Sequence, residues 1–179
     1  ETKEELKVFD APVYGLEDER DFAFVDNNTL LYSTEYNTLR YDVERDQIEV
    51  LLETSGEIIV NEALEQALVY TFAGVYCVDA AGTVLWEAPL EILDNSVYDY
   101  AFSPDGSRMF YIAFNDIQLM DTSNGSVLQR YEKTTAAKVA ALGDSFYLYA
   151  NDYDGESSKL TCYDCVTGDM RWSKEQGNI

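Results

Sequence analysis

An all-β chain of about four four-stranded antiparallel units is the fold this sequence predicts, and three observations predict it. The first is a repeat. Asp42, Asp79, Asp121 and Asp164 each end a strand-like run, at separations of 37, 42 and 43 residues. Gly82, Gly125 and Gly168 follow their Asp by three or four positions, Asp46 holds that place in the first unit, and Trp86 and Trp172 each lie four residues beyond a Gly. The second is the texture of the runs, which are β-branched and aromatic and are punctuated by Gly, Asn, Asp and Ser, as hairpins are. The third is that no segment keeps a 3.6-residue apolar period over a helical length.

The runs fall in order along the chain. The first unit reads as "FAFV" (22–25), "TLLYST" (29–34), "TLRYD" (38–42) and "QIEVLL" (47–52). "EIIV" (57–60), "ALVYTF" (67–72), "VYCVD" (75–79) and "TVLWE" (83–87) form the second. The third holds "YDYAF" (98–102), "RMFYIAF" (108–114), "IQLMD" (117–121) and "VLQRY" (127–131). "KVAAL" (138–142), "SFYLYAN" (145–151), "KLTCYD" (159–164) and "MRWSK" (170–174) complete the fourth. Four strands per roughly 40–45 residues is the period of a β-propeller blade. The expected blades span about 20–53, 54–92, 93–133 and 134–176 of a single domain, with 1–19 an extension or the last strand of a preceding blade.

Turn chemistry explains the recurring residues. An Asp carboxylate accepts a backbone N–H two residues on as the strand stops. The Gly supplies the positive φ of a bulged hairpin loop. The Trp then presents a large flat surface to the next sheet. Runs such as "VYCV" and "IQLM" are apolar on both faces, which suits sheets covered on either side by a neighbour.

The composition limits what such a scaffold does. There are 34 acidic residues against 12 basic ones, a net charge of −22, and no histidine. That surface repels phosphate backbones and anionic membranes and attracts cations or basic partners. Without histidine there is no Ser-His-Asp or Cys-His nucleophile, and the commonest zinc ligand is missing. Acid–base work would fall to carboxylates, Tyr or Lys. No run of about 20 apolar residues exists to span a bilayer as a helix. Because the sequence opens on "ETKEELKV", without Met or a signal peptide, it is expected to be an excised or processed segment.

Four motifs invite chemical readings. Asp152, Asp154 and Glu156 alternate around Gly155 in "NDYDGESS". Oxygen ligands so spaced suit calcium, but the loop is short and lacks the distal bidentate Glu of an EF-hand, so a solvated connector is expected and calcium is the alternative. Cys162 and Cys165 form a C-x-x-C, but no second such pair and no strand-to-helix context accompany it. Cys77 and Cys162 both precede their Asp by two residues, as small buried packing positions would, which leaves Cys165 in a turn and exposed. "LEDERD" (16–21) reads as a solvated connector, and carboxylate pairs such as Glu87 and Glu91 arise by chance in so acidic a chain. The Tyr of "YLYANDY" and "VYDY" are assigned mostly to the core and to blade interfaces, with a few at loop tips as a recognition surface.

At these residues the chain resembles two propeller families. "VYCVDAAGTVLWE" and "LTCYDCVTGDMRWS" resemble the pyrroloquinoline-quinone-type repeat at Asp79, Gly82, Trp86 and Asp164, Gly168, Trp172. "YAFSPDGSRMFYIAF" (100–114), with Ser103, Pro104, Asp105 and Gly106 in its turn, resembles the WD-repeat and related bacterial propellers. The likeness runs from about residue 20 to the end and is specific for blade architecture, not for activity. The quinone enzymes would need an adjacent-cysteine ring, a calcium site and a substrate base, and the chain shows no such set. The first unit departs from the pattern: it lacks the turn Gly and carries Arg40 on its third strand, so it is either divergent or abuts something polar.

Four blades fall short of the usual closed ring of six to eight. A segment of a larger propeller is therefore expected, with "LKVFDAPVY" (6–14) as the last strand of a preceding blade. Two copies paired as an eight-bladed ring are the alternative. The functional expectation is a non-catalytic binding or scaffolding propeller in a bacterial surface or envelope protein, holding a protein or peptide (basic ones above all) or a glycan. The alternative is a partial propeller enzyme, an oxidoreductase, lyase or glycosidase, with an incomplete centre. No catalytic residue, cofactor, nucleic-acid contact or membrane insertion is expected. Placement outside the cytoplasm is expected, with the cytoplasm as the alternative because the cysteines are unpaired.

Overall fold

In the computed structural model, residues 22–89, 97–113, 117–131, 135–151 and 157–177 are described. They form sixteen strands in four four-stranded antiparallel sheets, each following chain order, so the chain is a four-bladed part of a β-propeller. Blade 1 holds β1 (Phe22–Phe24), β2 (Thr29–Ser33), β3 (Thr38–Asp42) and β4 (Gln47–Leu52). Blade 2 holds β5 (Gly56–Asn61), β6 (Gln66–Thr71), β7 (Gly74–Asp79) and β8 (Val84–Pro89). Blade 3 holds β9 (Val97–Phe102), β10 (Arg108–Ala113), β11 (Ile117–Asp121) and β12 (Val127–Tyr131). Blade 4 holds β13 (Thr135–Leu142), β14 (Ser145–Asn151), β15 (Ser157–Asp164) and β16 (Met170–Gly177). A single 3₁₀ turn, Glu62–Leu64, joins β5 to β6. No helix among the described residues is long and apolar enough to cross a membrane.

The core lies between blades. Successive side chains of a strand point to opposite faces, so the middle strands serve two interfaces at once. In β6, Ala67 and Val69 join Val25, Leu31 and Leu52 of blade 1, whereas Leu68 and Tyr70 join Val97, Met109 and Met120 of blade 3. In β10 and β11, Met109 and Met120 face blade 2, while Phe110, Ile112, Ile117 and Leu119 meet Phe146 and Leu148 of blade 4. That double duty is why these runs are apolar at consecutive positions.

Aromatic packing is densest between blades 3 and 4. The Phe110 ring centroid lies 5.1–5.3 Å from those of Tyr131, Phe146 and Tyr163. Phe110 and Phe146 are completely buried. Full burial of such a ring contributes on the order of 1.5–3 kcal/mol.

One cysteine corrects the sequence reading. Cys77 and Cys162 are buried as expected, but so is Cys165, which packs in the cluster between blades 3 and 4. Although it opens a turn, its backbone N–H bonds the Asp144 carbonyl and draws the residue inward. Burial pushes the Cys165 thiol up to about 11 and the Cys77 thiol to about 12, the reverse of an activated nucleophile.

Candidate functional site

Antiparallel topology separates the loops into two ends. Connections from first to second and from third to fourth strands emerge at one end, and those from second to third strands at the other. The two ends differ in chemistry.

At the first end lie the repeat aspartates. Asp121 and Asp164 accept backbone N–H bonds two residues on, from Ser123 at 2.9 Å and Val166 at 2.8 Å. Asp42 and Asp79 reach further, to Arg45 N at 2.9 Å and Thr83 N at 2.7 Å. The expected two-residue Asx spacing therefore holds in blades 3 and 4 and lengthens in blades 1 and 2. Gly82, Gly125 and Gly168 adopt φ of 85°, 73° and 76°, and Asp46 takes the same left-handed place at 55°. Arginines neutralise three of the four aspartates: Arg45 and Arg40 flank Asp42, Arg108 reaches Asp121 at 2.9 Å, and Arg171 reaches Asp164 at 2.6 Å.

These bonds set the ionisation of that end. Asp164 is held at about 2, first by the Thr167 N–H and then by Arg171. Arg171 also grips Asp144, holding it at about 2. In the Ser103–Gly106 turn, the Ser103 hydroxyl and the Ser107 amide bring Asp105 to about 2. Carboxylates so stabilised as anions are structural acceptors, not proton donors near neutrality.

The same end also locks blade to blade. Arg40 Nε donates to the Ala80 carbonyl at 2.9 Å, Trp86 Nε1 to the Thr122 carbonyl at 2.8 Å, and Tyr131 OH to the Gly168 carbonyl at 2.8 Å. Asn61 Nδ2 donates to the Gly106 carbonyl at 2.8 Å across the interface between blades 2 and 3. The polar contact expected of Arg40 is thus the turn of blade 2, with Glu49 closing on the guanidinium at 3.0 Å. Trp86 covers the next blade. Trp172, at the matching register position opposite Cys162 as Trp86 is opposite Cys77, is 40% exposed.

The other end carries exposed aromatic side chains on its hairpin tips. In blade 1, Thr34 Oγ1 accepts from Tyr36 N at 3.4 Å and Asn37 N at 3.1 Å and donates to the Asn37 carbonyl at 3.1 Å. In blade 2, Thr71 Oγ1 accepts from Ala73 N at 3.1 Å and Gly74 N at 3.2 Å and donates to the Gly74 carbonyl at 3.0 Å. One hydroxyl pins each hairpin in the same way. At the tips, Tyr36 is 69% and Phe72 87% exposed. The Tyr36 hydroxyl donates to Glu35 Oε1 at 2.7 Å, placing a carboxylate beside the ring. An aromatic held on a rigid turn loses little conformational entropy on binding.

Sequence reasoning missed these two tips. The signal was present as "TEYN" and "TFAG", each a Thr three residues before an Asn or Gly at the start of, or just before, the third strand. Of the tyrosines assigned to core and interfaces, Tyr100 stacks edgewise on Phe102 and Tyr147 lies 6.1 Å from Trp172, but Tyr98 and Tyr149 are about half exposed. Glu87 stands exposed on β8. Asp152, Asp154 and Glu156, together with Glu91, "LEDERD" and "LKVFDAPVY", lie outside the described residues. Among the described residues no cluster of three or more acidic or cysteine side chains is placed to hold a metal.

No known protein family and no curated protein matches the chain. Solved structures match it in fold. Apo AztD from Citrobacter koseri superposes with a TM-score of 0.61 at 11% identity, covering 83% of this chain and 44% of that one. Hsv2 of Kluyvelomyces marxianus gives 0.56 at 15% identity, over 88% and 61%. Hydrazine synthase of Kuenenia stuttgartiensis gives 0.54 at 13% identity, over 93% and 53%. At such identities the likeness concerns the propeller fold alone, and the chain spans about half the length of these proteins.

Proposed function

We propose that this chain is a non-catalytic binding module that captures a basic protein or peptide on the end bearing Tyr36 and Phe72. The observation that carries the reading is the matched pair of threonine-pinned hairpins presenting exposed aromatic rings. Exposed large apolar side chains on a rigid support serve recognition, and Tyr and Phe are favoured at interfaces. The net charge of −22 steers cationic partners toward this surface. The displaced carboxylates support the same reading, since Asp42, Asp105, Asp121, Asp144 and Asp164 all shift downward. A general acid working near neutrality needs the opposite shift.

The repeat is of the pyrroloquinoline-quinone-type or WD-like kind in this proposal, used as a scaffold without its cofactor, and the blades divide near residues 53, 92 and 133. Calcium has no role in it. The acidic composition and the repeat resemblance favour placement outside the cytoplasm.

Selection of binders from a random peptide library tests the proposal. Lys- and Arg-rich peptides are expected, binding at least tenfold more weakly to the Tyr36→Ser/Phe72→Ser double variant while its melting temperature is unchanged. Acidic binders, or affinities indifferent to the double variant, would contradict it.

A further inference from the structure

We infer that the outer face of blade 4, around Trp172, seats the Asp turn of a further propeller blade that carries glycine at the left-handed position, and that it does not seat blade 1 of a second copy. The observation is a contact that recurs at every described interface. Each of blades 1 to 3 sends one side chain, Arg40, Trp86 or Tyr131, to a backbone carbonyl in the third-to-fourth-strand turn of the blade that follows. Trp172 occupies in blade 4 the register place that Trp86 occupies in blade 2, and its indole stands 40% exposed beside Met170 at 60%. Trp172 thus repeats the position from which Trp86 meets the turn of the blade that follows, so the occupant of this face is another turn of this kind.

The turn must carry glycine. A Cβ on Gly125 would lie 2.5 Å from Trp86 Cζ3 and 2.9 Å from Cε3 and Cη2, so the indole lies flat against the bare backbone there. Gly168 is as closely covered, with a Cβ falling 2.6 Å from Tyr131 OH and 2.7 Å from Gln129 Oε1. Blade 1 has Asp46 at this position, at φ 55°, with its carboxylate held by Tyr41 OH at 3.1 Å. The Asp46 Cβ stands where the indole of a second copy would have to lie. Asp46 thus acts against head-to-tail self-association while leaving the Trp172 face open to a glycine turn, a division of the sort that protects open sheets from pairing with themselves.

Sedimentation equilibrium of the native chain, Asp46→Gly and Asp46→Gly/Trp172→Ala tests this. Glycine relieves the left-handed strain at position 46, so the single variant folds at least as well as the native chain. The native chain is expected to sediment as one 20.3 kDa species. Asp46→Gly is expected to associate at least tenfold more tightly, as dimers or longer head-to-tail chains, and removing Trp172 is expected to abolish the gain. Self-association of the native chain would overturn the inference, as would an Asp46→Gly variant indistinguishable from the native chain or one whose association survives Trp172→Ala.

Discussion

Substituting Gly125 by Ala strikes the contact on which blade stacking depends. Two costs add at this site beyond the ordinary one. The residue sits at φ 73°, where an L side chain costs roughly 1–2 kcal/mol. The new methyl falls 2.5 Å from the Trp86 ring, so the indole must move outward; overpacking of this kind costs about 1–3 kcal/mol. Displacing the indole also stretches the 2.8 Å bond to the Thr122 carbonyl, worth about 0.5–1.5 kcal/mol. Gly143→Ala isolates the first cost, because Gly143 has φ 59° and nothing lies within 4 Å of the place its methyl would take. Chemical denaturation should therefore show Gly125→Ala less stable than Gly143→Ala by about 2–4 kcal/mol, with an unchanged denaturant slope. Equal destabilisation by the two substitutions would refute the stacking argument.

Other outcomes follow from the same geometry. Phe110→Ala, at a fully buried ring touching three other aromatics, should cost about 3–5 kcal/mol by denaturation, whereas Phe72→Ser should leave stability within about 0.5 kcal/mol. Asp144 and Asp164 have folded-state values lowered to about 2, so their stabilisation is complete above the ordinary carboxylate range and lost as pH falls from about 4 toward 2. Thermal melts of Arg171→Gln should lose less stability than the native chain across that window, and parallel profiles would contradict the assignment. All three cysteines are buried, so a thiol reagent at pH 8 should modify none in the folded chain and all three after denaturation.

Strand positions were legible because the cues are local. Residues 38–42, 47–52, 117–121, 127–131 and 145–151 emerge with the bounds expected from alternation and turn residues, and the other strands differ by a few residues at their ends. The left-handed glycines were legible for the same reason, since Asp-to-Gly spacing specifies a turn by itself. What escaped depends on stacking. Nothing in "DCVTGD" tells that Cys165 is pulled inward by the Asp144 carbonyl, because the two turns of blade 4 meet only once the sheet has formed. The roles of Asn61 and Tyr131 are likewise set by the neighbouring blade, to which each donates across 45 and 37 residues of chain. The aromatic tips escaped for a different reason. Exposure of Phe72 runs against the expectation that a Phe ending an apolar run is buried, and such departures from local rule are where function is expected.

The seating of Trp86 on Gly125 is the most direct test of the blade-to-blade account, and proton NMR reads it in the native chain. The account predicts strong cross-relaxation between the Trp86 ring protons and Gly125 Hα, an upfield ring-current shift of that Hα, and a slowly exchanging Trp86 indole N–H. A Gly125 Hα at its ordinary position, without contacts to the indole, would contradict it.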